Sequence, residues 1–139
     1  MKEEVQNLSK VFNPEHPFVF ILGGAKFKTK LPLVKKYLNI ADTVVIGGAL
    51  ASDIFKARGF ETGTSLTSGE DFGIEDIIKN PKLQTFSDVT VKKNNEVYFK
   101  KPNELAPDEC IVDAGPETVE DLNKILLGVK TIVWNGPLG

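Results

Sequence analysis

The densest chemistry in this sequence lies in the octapeptide GGAKFKTK, residues 23–30. Lys26 and Lys30 are four residues apart and share one face of a helix. The apolar run FVFIL just before them reads as a strand. Leu31, Leu33, Val34 and Leu38 after them read as an amphipathic helix with Pro32 in its first turn. The two lysines thus stand at a helix amino end, where free N–H groups and a partial positive charge suit a phosphate. Lysines usually just solvate a helix face. Here two cations oppose the helix dipole at about 0.3–1 kcal/mol each, which favours an anionic ligand. Lys28 belongs to the cluster but sits off that face. Neither a Walker A spacing nor G-x-G-x-x-G is present, and Gly47-Gly48-Ala49-Leu50 supplies no acid to hold a ribose. NAD binding is disfavoured.

Four apolar runs share a property. FVFIL ends in Gly23-Gly24, TVVI in Gly47-Gly48, CIVD in Ala114-Gly115-Pro116 and TIVW in Asn135-Gly136-Pro137. In a parallel sheet the carboxyl ends of the strands lie on one edge, where ligands bind. Taken singly, each turn is more simply an ordinary βα turn. Four on one rim point to a flat ligand, such as an adenine ring, lying on backbone that no Cβ obstructs. Asn135 either donates to a phosphate or forms an Asx turn, the turn being commoner for a lone asparagine. Asp113 either caps a turn or, less commonly, approaches a metal. Pro116 reads as a first-turn proline.

Bulk properties narrow the partners. With 139 residues and 41% hydrophobic content, the chain fits one domain with a real core. A net charge of −2 gives no general attraction to nucleic acid or anionic membrane. Arg58 is the only arginine, so the chain cannot by itself build a site of several guanidinium forks. Cys110 is the sole cysteine and reads as a buried thiol, which excludes an internal disulfide and a cysteine-based zinc site. His16 is also alone and reads as a loop residue. No run approaches the roughly 20 apolar residues that span a bilayer, and MKEEVQNLSK has no secretory core, so a cytoplasmic protein is expected.

The elements that must position these residues alternate. Val5, Leu8, Val11 and Phe12 suit a helix ended by Asn13-Pro14. Leu50, Ile54 and Phe55 suit another ended by Gly59, and Val119, Leu122, Ile125 and Leu126 a third ended by Gly128. Residues 59–73 read as loop, and GIEDIIKN as a short helix stopped by Asn80-Pro81. DVTVKK and EVYFKK around Asn94-Asn95 read as a β-hairpin. The pattern predicts an α/β, Rossmann-like three-layer domain. It has a mainly parallel sheet, the ends of all four glycine-terminated runs on one edge, and a hairpin excursion.

In this order FVFILGGAKFKTK, VVIGGALA, GFETGTSL, VDAGPET and TIVWNGPLG resemble the carboxy-terminal domain of the phosphoglycerate kinase family, and LSKVFNPEHPFV before them resembles it too. The likeness runs nearly the whole chain. It implies that residues 1–139 are part of the nucleotide-binding domain of a glycolytic enzyme. That enzyme moves a phosphoryl group between 1,3-bisphosphoglycerate and Mg-ADP by hinge closure of two domains. By this resemblance Lys26 contacts the transferred phosphoryl group and Lys30 the nucleotide phosphates. Gly23, Gly24, Gly47 and Gly48 line the adenine pocket, and Asn135 and Pro137 lie beside phosphates and ribose. Ile111 falls near the adenine, at a position where the family pattern leads one to expect glycine. Phe27-Lys28-Thr29 is a second departure. The amino-terminal domain that takes 3-phosphoglycerate, the ribose-binding glutamate and the Gly-Gly-Asp-Thr loop for magnesium are unmatched, so the metal's protein ligand is expected outside this chain, and turnover by the chain alone is not expected. The parent enzyme is expected to be monomeric. The alternatives are a stand-alone, non-catalytic nucleotide-binding module and, less in keeping with the ordered motifs, an unrelated sugar- or coenzyme-binding Rossmann module.

Overall fold

A computed structural model describes residues 14–25, 27–67 and 74–139, the side chains of Phe27 and Lys28 excepted. The helix expected over residues 5–12 and the end of the 59–73 loop lie outside the described residues. Four strands, β1 (Phe18–Leu22), β2 (Thr43–Ile46), β3 (Leu83–Gln84) and β7 (Thr131–Asn135), form an all-parallel sheet in the order β3-β2-β1-β7. β1 is central and buried along its whole length, which explains its unbroken apolar run. Helix α1 (Phe27–Ile40) and helix α2 (Ala49–Ala57) pack on the face made by Phe18, Phe20, Leu22, Val44 and Ile46. Val19, Ile21 and Val45 on the other face meet Leu122, Ile125 and Leu126 of helix α4 (Pro116–Leu126). The short helix α3 (Glu75–Ile78) buries Ile77 against the first face. Helices on both faces of a parallel sheet make the three layers that the sequence predicts.

One element departs from expectation. β6 (Cys110–Ala114), the CIVD run, is not in the parallel sheet. It pairs antiparallel with β4 (Val89–Lys93), which also pairs with β5 (Glu96–Lys100), in a separate sheet of order β5-β4-β6. The hairpin around Asn94, whose φ is 56°, is therefore the core of a second sheet rather than an edge excursion. Its apolar side, Val89 and Val91, packs with Ala51, Phe55, Phe86 and Leu105 and ties the small sheet to α2. Two smaller corrections follow. α1 begins at Phe27, which puts Pro32 beyond the first turn, and Cys110 is half-buried, with Sγ 3.6 Å from the Ile111 carbonyl. His16 lies in the bend before β1, bonded to Asp42 Oδ2 at 2.7 Å. That bond and the Phe18 N–H, the larger influence, hold the Asp42 carboxyl below its usual range.

Two buried carboxylates fix the small sheet. Asp88 reaches the amino end of α4, accepting from the N–H groups of Thr118 (2.8 Å) and Glu117 (3.1 Å). The Thr118 hydroxyl donates back to the Asp88 carbonyl at 2.8 Å. Gly115, at the N-cap position, has no side chain to do this, and a Cβ there would stand 2.3 Å from the Asp88 carboxylate. Glu109, 1% exposed, accepts from Lys100 Nζ (2.7 Å), Tyr98 Oη (2.5 Å) and the Ala106 N–H (2.7 Å).

The Lys100 and Tyr98 hydrogen bonds hold Glu109 down at about 2, against an ordinary 4.5. A carboxylate with a lowered folded pKa contributes stability above its unfolded pKa, and that contribution disappears as pH falls toward the folded value. Between about pH 5 and pH 2, Glu109 is expected to withdraw on the order of 2–3 kcal/mol. Urea titrations across this range should show the wild type losing stability more steeply than Glu109→Gln. Parallel pH profiles would mean that the network contributes nothing.

Candidate functional site at the carboxyl edge

β1, β2 and β7 all end on one edge, with Leu22 opposite both Ile46 and Asn135. The chain after β7 runs back across that edge. It takes up the N–H groups of the glycines: Gly23 donates to the Asn135 carbonyl, Gly24 to Pro137 and Gly48 to Leu138, at 2.8–2.9 Å, while Gly47 donates to Leu22 at 2.8 Å. The glycine N–H groups are thus satisfied within the protein, and what the rim offers a ligand is a flat surface rather than a row of free donors.

Each Gly-Gly pair divides its tasks. The first glycine is buried and makes room for the chain: a Cβ on Gly23 would stand 1.9 Å from the Pro137 oxygen, and one on Gly47 2.4 Å from Leu138 Cδ2. The second glycine, Gly24 or Gly48, has a positive φ (97° and 63°) and lines a cleft of about 220 Å³. Its far wall comes from β6. Thr90 pairs with Asp113 and Val91 with Ile111, so Val112 has no partner and the strand bulges there. Regular alternation would send Val112 away from its neighbours. The bulge lets Ile111, Val112 and Asp113 all line the cleft. Leu66, 66% exposed, and Phe86 add apolar surface. Among the described residues Ser52 and Asp113 are the only polar side chains in the lining.

Two helix amino ends meet this edge. α2 starts at Gly48, without a side-chain cap and without an acid in its first turn. α1 also lacks a first-turn acid and carries Lys30 there, whose Nζ donates to Asn135 Oδ1 at 2.9 Å. That bond gives the Asn135 side chain a partner on another element. By contrast, the amino end of α4 is closed by Asp88, so the Ala114-Gly115-Pro116 turn is no part of the rim.

Of the residues singled out in the sequence, Gly24, Gly48, Ile111 and Pro137 line the cleft, Gly23 and Gly47 underlie it, and Lys30 and Asn135 pair beside it. Lys26 lies outside the described residues. The sequence reading missed Leu66, Phe86 and Val112. A lone leucine in a polar loop is a usable signal for Leu66, whereas nothing local marks Phe86.

Fold and cleft define an open α/β domain of the kind that takes ligands at the carboxyl edge of its sheet. The chain belongs to the phosphoglycerate kinase family: the family model described as phosphoglycerate kinase matches residues 1–139. A phosphoglycerate kinase of Staphylococcus epidermidis is 39% identical over the whole chain, which covers 37% of that relative. The structure of phosphoglycerate kinase from Coxiella burnetii superposes with a TM-score of 0.86 at 32% identity, over 99% of this chain and 39% of that one. That of Pyrococcus horikoshii superposes with a TM-score of 0.80 at 28% identity, over 100% of this chain and 38% of that one. The chain therefore spans little more than a third of the length of the relatives it matches.

Proposed function

We propose that these 139 residues are the nucleotide-binding part, belonging to the carboxy-terminal domain, of a phosphoglycerate kinase. The parent enzyme would transfer a phosphoryl group between 1,3-bisphosphoglycerate and ADP, with the phosphoglycerate held by a domain outside this chain. The observation that carries this reading is the meeting of three strand ends and two helix amino ends without a first-turn acid beside one cleft whose floor is glycine. A base fits between the surface of Gly24 and Gly48 and the bulged strand at Ile111 and Val112. The phosphates then run toward the amino end of α1, where Lys30 exchanges Asn135 for a phosphate oxygen and the backbone N–H groups add their partial charge. Lys26, just before that helix, is assigned to the transferred phosphoryl group, as its place in the family motif suggests. Transfer needs positioning and neutralisation of charge spread over several oxygens, and the lysines supply part of the second.

Among the described residues Asp113 is the single carboxylate lining the cleft, and no group of three or more His, Cys, Asp or Glu could hold a metal. That donor set does not fit a protein-held magnesium. Among the described residues no helix is long and apolar enough to cross a membrane.

Calorimetric titration with ADP at low salt tests the assignment. A charge-assisted hydrogen bond to phosphate is worth roughly 1.5–3 kcal/mol, so Lys30→Ala is expected to weaken binding about 10- to 100-fold. Lys28→Ala should cost less, since two positions along a helix point elsewhere. Thermal stability should hardly change in either variant, because the bond from Lys30 to Asn135 is exposed. Equal affinities in all three proteins would reduce the lysines to a solvated face.

A further inference from the structure

The second sheet ends in a free edge. Among the described residues β5 pairs with β4 alone, and no backbone hydrogen bond leaves its outer side for another segment. Thr90 lies opposite Phe99 and Lys92 opposite Val97, which puts both apolar side chains of β5 on the face turned away from α2. Val97 is 59% exposed and Phe99 60%. Charged residues on an edge strand ordinarily discourage a second edge. On β5, however, they stand at the two ends with opposite signs, Glu96 and Lys100. Lys93 and Lys101 beside them are taken up by Asp108 and Glu117, whereas Glu96 makes no ion pair among the described residues.

We infer that the β5 edge is a docking surface for a second copy of this chain, joined antiparallel about a two-fold axis at Tyr98. In that register Glu96 faces Lys100 of the second copy, Val97 faces Phe99, and Tyr98 faces its own counterpart. The two-fold repeats each unlike pair. Acid meets base at both ends, the exposed apolar side chains cover each other, and the outward N–H and C=O groups close a ladder. Other symmetric registers lose the match. An axis at Val97 sets Lys93 against Lys101, and an axis at Phe99 sets Glu96 against Pro102 and Val97 against Lys101. Lys100 is already held by Glu109 at 2.7 Å, which lowers the cost of ordering it. The β7 edge, with exposed Ile132 and Trp134, carries no charge and so favours no register. A five-residue edge contact falls below the roughly 1,200–2,000 Å² of stable interfaces, so the pair is weak, with a Kd on the order of 100 µM. β6, which walls the cleft, lies two strands away, so this inference stands or falls apart from the nucleotide reading.

The test follows amide chemical shifts and sedimentation of the labelled chain over a dilution from about 1 mM to about 20 µM, which brackets that Kd. Residues 95–101 are expected to shift with concentration while the mass moves between dimer and monomer. Glu96→Lys sets lysine against lysine twice and should weaken the association at least about tenfold, and Phe99→Ala by about tenfold. Glu120→Lys, an equal change of charge on the exposed side of α4, should leave it within about twofold. All three side chains are exposed, so the fold should be preserved, which melting curves check. Shifts independent of concentration up to about 1 mM overturn the inference. So do shifts confined to β7, which would move the contact to the other edge, and equal weakening by Glu96→Lys and Glu120→Lys, which would reduce it to net charge.

Discussion

Replacing Gly23 with alanine is expected to cost on the order of 3 kcal/mol of stability, near the upper end for an overpacked site, and to abolish nucleotide binding. The added Cβ would stand 1.9 Å from the Pro137 oxygen and 2.5 Å from its carbonyl carbon. Both are backbone atoms with no rotamer to relax into. The chain after β7 must move, and with it the acceptors of the Gly24 and Gly48 N–H groups. For a domain of this size the loss corresponds to a fall of about 10 °C in Tm. Gly59→Ala is the control: φ there is 85°, yet nothing lies within 4 Å of the added carbon. It should cost only the roughly 1 kcal/mol of a left-handed alanine at a helix end. Equal costs at the two sites would show that the contact between the glycine rim and residues 137–138 is not tight.

The second large effect is on turnover. The 139-residue chain is expected to transfer phosphoryl groups several orders of magnitude more slowly than a full-length relative, because positioning the second substrate is where most of such a rate arises. A coupled assay with ATP and 3-phosphoglycerate, run beside the full-length Staphylococcus epidermidis protein, measures this. Turnover close to that of the relative would contradict the assignment of this chain as the nucleotide half alone.

Much of this architecture was legible because it is local. Apolar runs bounded by glycine located β1, β2 and β7, and helical periodicity with Gly59 and Gly128 located α2 and α4. β6 misled because its sequence carries the same signature as the parallel strands: an apolar run, then a glycine turn, then a helix. What sends it elsewhere is the hairpin just upstream, which offers an antiparallel partner at short loop-closure cost. β3 escaped notice because two residues carry no alternation. At the site, the pairing of Gly24 and Gly48 with Pro137 and Leu138 joins residues about a hundred positions apart, and no local pattern reports it. Asp88 likewise caps a helix that begins 28 residues later. The bulge at Val112 is a property of the ladder, so the sequence drew attention to Ile111 and left Val112 unremarked.

The central claim is a location: a nucleotide lies in the cleft between the glycine rim and the bulged strand, with its phosphates at the amino end of α1. Amide chemical shifts of the labelled chain during an ADP titration test that most directly. The account predicts saturable changes at Gly24, Gly48, Leu66, Ile111, Val112, Asp113 and Asn135, with the Lys30→Ala variant requiring about 10- to 100-fold more ADP to reach them. Changes confined to the hairpin around Asn94, or to the groove between Val45, Thr85 and Leu122 on the opposite face of the sheet, would contradict it.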